Sequence, residues 1–192
     1  NKIFEKLTNQ LTETIDSSVA LALHNKNQEV EVIHLLWALL SNTNSVLNQL
    51  LNKMNVNKVA VELEAKSYAS KLPSVSSVTK ESIKLSRNLL SSLQNAEGLM
   101  ASFGDKFIAV DTWLISNLDS SVIKDVLGKY VDLKEAKKEL EAMRAGKTID
   151  SNSGDENLEA LNKYGIDLNK KAIDGLLDPV IGRDEQISRM MQ

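Results

Sequence analysis

One stretch limits what this chain can fold into. Val30-Glu31-Val32-Ile33-His34-Leu35-Leu36-Trp37-Ala38-Leu39-Leu40 is apolar on almost every side, a composition that suits only a helix surrounded by other helices. Adding 78 to those numbers reaches a second such segment, Ile108 to Leu118, with Val30 over Ile108, Val32 over Val110, Leu36 over Leu114 and Leu40 over Leu118. Leu7, Leu11, Ile15 and Leu21 fall over Leu85, Leu89, Leu93 and Leu99 at the same offset. The chain reads as one unit written twice.

Each copy predicts four helices. Leu7, Leu11, Ile15, Val19 and Leu23 recur every four residues and mark a helix from Thr8 to Leu23, with Thr8 as its N-cap. The buried helix follows, then a third over Val46–Leu51 and a fourth from Val56 towards Tyr68. Pro73 and the serines after it separate the halves, with Thr79 expected to cap a restarting helix that has Glu81 in its first turn. The second half then predicts helices over 85–103, 108–118, 122–127 and 133–143. With two prolines, eight glycines and 42% hydrophobic residues among 192, the expectation is an all-α fold of two pseudo-symmetric four-helix repeats, 1–73 and 77–143. From 144 to 157 the pattern collapses into Gly, Ser, Asn and Asp, which reads as a flexible linker. Residues 158–192 read as the short helical start of another domain, stopping mid-pattern.

Composition excludes several functions. The net charge is -3, there are four arginines and no lysine run exceeds a pair, so no basic stripe exists for nucleic acid. No segment approaches the length and apolarity of a membrane span, and the first residues lack a signal peptide's apolar block, so a soluble cytoplasmic protein is expected. Cysteine is absent, which removes thiolate chemistry and disulfides and fits a reducing compartment.

Nor is there a catalytic constellation. Gly146-Lys147-Thr148 imitates the end of a phosphate-binding loop, but Glu141 stands where that loop needs glycine, and a helix precedes it instead of a strand. His24 and His34 are the only histidines, with no metal-ligand spacing around either. His34 reads as a partly buried packing residue and His24 as a surface one. The expectation is no catalytic residue, no metal and no cofactor within these residues. Trp37 and Trp113 read as core, whereas Phe103 and Phe107 flank the turn Gly104-Asp105-Lys106, beside the groove expected where two similar halves meet.

The late segments Ala160-Leu161-Asn162-Lys163-Tyr164-Gly165-Ile166-Asp167-Leu168 and Leu177-Asp178-Pro179-Val180-Ile181-Gly182-Arg183-Asp184-Glu185 resemble the start of the first ATPase domain in Clp-type AAA+ unfoldases of the disaggregase branch, the ClpB family. The rest of the chain resembles that family's amino-terminal double repeat. The resemblance implies a substrate-binding domain of an ATP-dependent chaperone that receives unfolded or aggregated polypeptide, works with the DnaK system and is a homohexamer at full length, the present fragment being monomeric. It implies substrate-binding roles for Thr8, Asp105 and Asp111, with Leu99, Phe103 and Phe107 in the apolar groove. It also implies Val180 and Ile181 beside adenine, with ATP and magnesium as cofactors, in the complete ATPase only. Asn95 and Thr112 depart from leucines usual in that groove, and Ala145 from a usual glycine. The alternative is an adaptor-docking domain of the ClpA or ClpC kind, which serves a protease.

Overall fold

The computed structural model describes residues 2–155. After a 3-10 turn at Lys2–Lys6, the first half holds helices α1 (Asn9–His24), α2 (Val32–Ser41), α3 (Val46–Lys53) and α4 (Lys58–Ser70). The second holds α5 (Arg87–Phe103), α6 (Val110–Asn117), α7 (Ser121–Val126) and α8 (Leu133–Arg144). Among the described residues, eight α-helices in two groups of four match the expected fold. Two elements were not foreseen, the two-residue strands β1 (Glu29–Val30) and β2 (Lys84–Leu85).

The strands show how the copies are joined. They pair in parallel, Val30 opposite Leu85, and a lone parallel bridge joins Leu7 to Ile108. Since 7 + 78 = 85 and 30 + 78 = 108, these are one contact made twice with the copies exchanged. The hydrogen bonds repeat as well: Thr8 N–H donates to the Ile108 carbonyl at 3.0 Å, and Ser86 N–H to the Val30 carbonyl at 2.9 Å. Helix packing follows the same exchange, with α3 against α6 and α8, and α7 against α2 and α4. A single core therefore runs through both halves, from Leu11 and Leu36 to Leu93 and Leu114. Each such leucine contributes roughly 1.5–3 kcal/mol when fully buried.

Caps fix the helix starts. Thr8 and Ser86 are 78 apart, and their hydroxyls accept from Leu11 N–H at 3.2 Å and Leu89 N–H at 3.0 Å. The caps of the later helices, Ser45 with Ser120 and Asn57 with Asp132, are 75 apart, since 120 − 45 = 75 and 132 − 57 = 75. Helix α6, at 8 residues, is two shorter than α2 at 10, and the turn after it, 118–120, is one shorter than 42–45, so the repeat register slips by three. Thr79 caps no helix: its carbonyl accepts from Ser82 and Ile83 N–H in a turn, and α5 starts only after Ser86. Strand pairing of Lys84 and Leu85 overrides the local capping signal there.

Residues 145–155, expected as flexible linker, are bonded to the domain. Ala145 in the left-handed region (φ 54°) and Gly146 (φ 74°) turn the chain at the end of α8. Ile149 is then buried, with Lys106 N–H donating to its carbonyl at 2.8 Å, and Asn9 N–H donates to the Asn152 carbonyl at 2.7 Å. Polar composition suggested a linker because one anchor, Ile149, carries the apolar contact and the other bonds are made by backbone. Leu158 to Gln192, including Val180 and Ile181, lie outside the described residues.

Candidate functional site

The acidic candidates meet around one cation. Arg144, in the last turn of α8, is only 4% exposed, and its guanidinium bonds both Asp105, in the turn after α5, and Asp111, in the first turn of α6. Its Nε donates to Asp111 Oδ2 at 2.9 Å and its Nη2 to Asp111 Oδ1 at 2.6 Å, a bidentate fork. Nη1 donates to Asp105 Oδ2, and Nη2 also reaches Thr112 Oγ1 at 3.0 Å. Burial alone would lower the Arg144 pKa, but the hydrogen bonds and charges of Asp111, then Asp105, outweigh it and raise it above the usual arginine value. The guanidinium carbon lies 4.8 Å from the Phe103 ring centre, adding a cation–π contact. Asp105 Oδ1 accepts from Ile149 N–H at 2.8 Å, which ties the tail to this cluster.

Thr8 is likewise buried. Its hydroxyl donates to Asp155 Oδ2 at 2.8 Å while capping α1, and the same carboxylate oxygen accepts from Val110 N–H at 3.3 Å. A negative charge at the start of α6 is favoured by the helix dipole and by the otherwise unpaired amides of its first turn. Thr8, Asp105 and Asp111 thus sit inside the domain and bond to Asp155 and Arg144, not at the rim of an open groove. Phe107 is half-buried against Ala109 and Ile149 in a small separate cluster, and Phe103 packs on Arg144.

An open groove does exist, and Leu99 lines it. About 680 Å3 in volume, it runs between α5, α6, α7 and α8, wholly within the second half and not at the seam between halves as the sequence suggested. Leu99, Ile115, Leu118 and Leu133 form its apolar walls. Phe103 and Phe107 are not among its lining residues. The two departures noted in the sequence do not fill it either: Thr112 is buried beside Arg144, and Asn95 donates from Nδ2 to Asn117 Oδ1 at 3.2 Å. Sequence reasoning missed Arg144 and Asp155, whose only signals were a lone arginine at a helix end and a carboxylate in a polar stretch.

His34 is fully buried, beyond the partial burial expected, and His24 is exposed. Glu31 N–H donates to His34 Nδ1 at 2.8 Å, so Nε2 carries the proton and donates to Asn27 Oδ1 at 2.9 Å. Burial pushes the His34 pKa down to about 4. No group of three or more metal-ligating side chains is assembled among the described residues, nor is any helix there long and apolar enough to cross a membrane.

The family model for the Clp repeat N-terminal domain matches residues 6–130. This chain belongs to that family. Among the relatives of the Clp repeat domain is the chaperone protein ClpB of Wolinella succinogenes, 58% identical over 98% of this chain and 22% of that protein. The chain therefore spans about a fifth of the length of that relative. Among solved structures, the N-terminal domain of Hsp104 from Candida albicans superposes with a TM-score of 0.71 at 22% identity, covering 78% of this chain and 99% of that one. A ClpV N-domain in complex with a VipB peptide superposes at 0.56 with 19% identity, covering 72% and 86%. Both confirm the Clp double-repeat fold.

Proposed function

We propose that this domain receives unfolded or aggregated polypeptide for an ATP-dependent disaggregase of the ClpB kind, and that it holds short apolar segments in the groove lined by Leu99, Ile115, Leu118 and Leu133. That groove is the observation that carries the reading. Its volume of about 680 Å3 falls in the range of sites that hold small ligands, so it suits a few side chains of an extended peptide. The ClpB relatives and the peptide bound by a ClpV N-domain support the same reading. The domain itself performs no chemistry. In the full-length protein the ATPase modules would bind ATP and magnesium, with Val180 and Ile181 beside the adenine, and assemble a cytoplasmic hexamer that works with the DnaK system. The present fragment would be monomeric.

Thr8, Asp105 and Asp111 act in this reading through the architecture they hold, since their side chains are bonded inside the domain. Methyl chemical-shift mapping with a permanently unfolded client tests the proposal. Resonances of Leu99, Ile115, Leu118 and Leu133 should move on titration, and Leu99→Glu should abolish the shifts. Stationary groove methyls alongside client-induced shifts elsewhere would sink it.

A further inference from the structure

Three lysines stand around the apolar groove. Lys124 on α7 and Lys134 and Lys137 on α8 line it, are exposed, and make no ion pair among the described residues. Among the described residues Lys6, Lys129 and Lys138 are the lysines that pair, with Glu97, Glu64 and Glu135, so what marks Lys124, Lys134 and Lys137 is their place on the groove. The chain carries -3 overall, yet the groove's lining is positive, three lysines against Asp119 and Glu141, or 3 − 2 = +1. On helix α8 the spacing is informative. Lys134 and Lys137 are three apart and project from one face, next to Leu133, which contributes to the apolar wall.

Long lysine side chains lay their methylene stems along apolar surface while the ammonium stays in water. Here they extend the apolar trough and edge it with positive charge. An extended peptide presents successive side chains to opposite faces, so one that alternates apolar and acidic residues would place apolar groups in the trough and carboxylates towards its edges.

We infer that the groove selects extended segments in which apolar residues alternate with aspartate or glutamate, with Lys124, Lys134 and Lys137 as the selectivity-determining residues. The inference rests on the groove reading above and adds the chemical class of the segment. Because the lysines are exposed, the selectivity is modest per residue, acts jointly and weakens with salt.

The test compares two fluorescent peptides with identical leucines, one carrying glutamates and the other lysines at the alternate positions. Their binding to the 192-residue chain is measured by anisotropy, and the site is followed through the Leu99 and Ile115 methyl resonances. The glutamate peptide should bind roughly tenfold more tightly at low ionic strength, with the gap closing as salt rises to about 0.5 M. The triple variant Lys124→Gln, Lys134→Gln, Lys137→Gln should remove the preference. A control with Lys53→Gln, Lys58→Gln and Lys66→Gln, the same charge change outside the groove lining, should keep it. If both peptides bind equally and shift Leu99, the groove reading stands and the selectivity falls. Equal loss of preference in both triple variants also overturns it, because overall charge would then be the cause. If neither peptide moves the groove methyls, the groove reading fails and takes the selectivity with it.

Discussion

The two halves share a backbone plan and differ in what they bury at their polar turns. In the first half the turn before α2 holds Asn27, bonded to His34, a neutral pair. In the second, 27 + 78 = 105 places Asp105 at the same point, and its partner is the charged Arg144. By the 75-residue register of the last helices, Arg144 occupies the place of Ala69, a buried methyl in the first half. Helix starts diverge too. His34 accepts from the Glu31 amide at the start of α2, whereas Ala109, the counterpart of Glu31 at α6, has no side-chain cap and Asp155 comes in from the tail to accept from Val110. At these points the first half uses neutral groups, Asn27 bonding His34 and the Pro73 carbonyl. The second uses charged ones, Arg144 at the end of α8 and Asp155 in the tail.

The largest test of that contrast is Arg144→Met. It leaves two buried carboxylates without their cation and should cost about 3–5 kcal/mol in urea unfolding. Asn27→Ala, at the first-half position that matches Asp105, should cost only about 1–3 kcal/mol, since the His34 and Pro73 groups left behind are neutral. Equal losses would erase the distinction between halves.

The pH response should belong to the first half. His34 titrates near 4 when folded, below the value of about 6.5 expected when unfolded, so the unfolded state binds the extra proton first. Stability from this residue is complete above pH 6.5 and lost as pH falls from there to 4, by an amount on the order of 3 kcal/mol. His34→Gln should flatten that window in urea midpoints measured against pH. An unchanged slope would move the origin of acid sensitivity elsewhere.

Smaller effects resolve the tail. Asp155→Ala removes the acceptor for Val110 N–H and Thr8 Oγ1, and should lower stability by about 1–2 kcal/mol while speeding amide exchange at Val110. Ala145→Gly should raise stability by about 0.5–1 kcal/mol, because Ala145 holds a left-handed φ of 54° that glycine adopts without a Cβ penalty. A loss in that variant would mean that the alanine methyl contributes more than its backbone conformation costs.

Residue periodicity was enough to find eight helices, the doubling and most of the core, because leucines at helical spacing have to be covered and covering them twice demands the same plan twice. Composition and spacing also gave Thr8 as a helix cap, whereas Leu99, which lines the groove, came from the family resemblance. The chain alone left three things open. One was the exchange of Leu7–Ile108 and Val30–Leu85 pairings, which joins residues far apart in sequence through backbone bonds that carry no side-chain signature. Another was the groove's place within the second half. The last was the fate of the acidic candidates: carboxylates at Asp105 and Asp111 are surface residues by composition, and only folding brings Arg144 close enough to offset the cost of burying them.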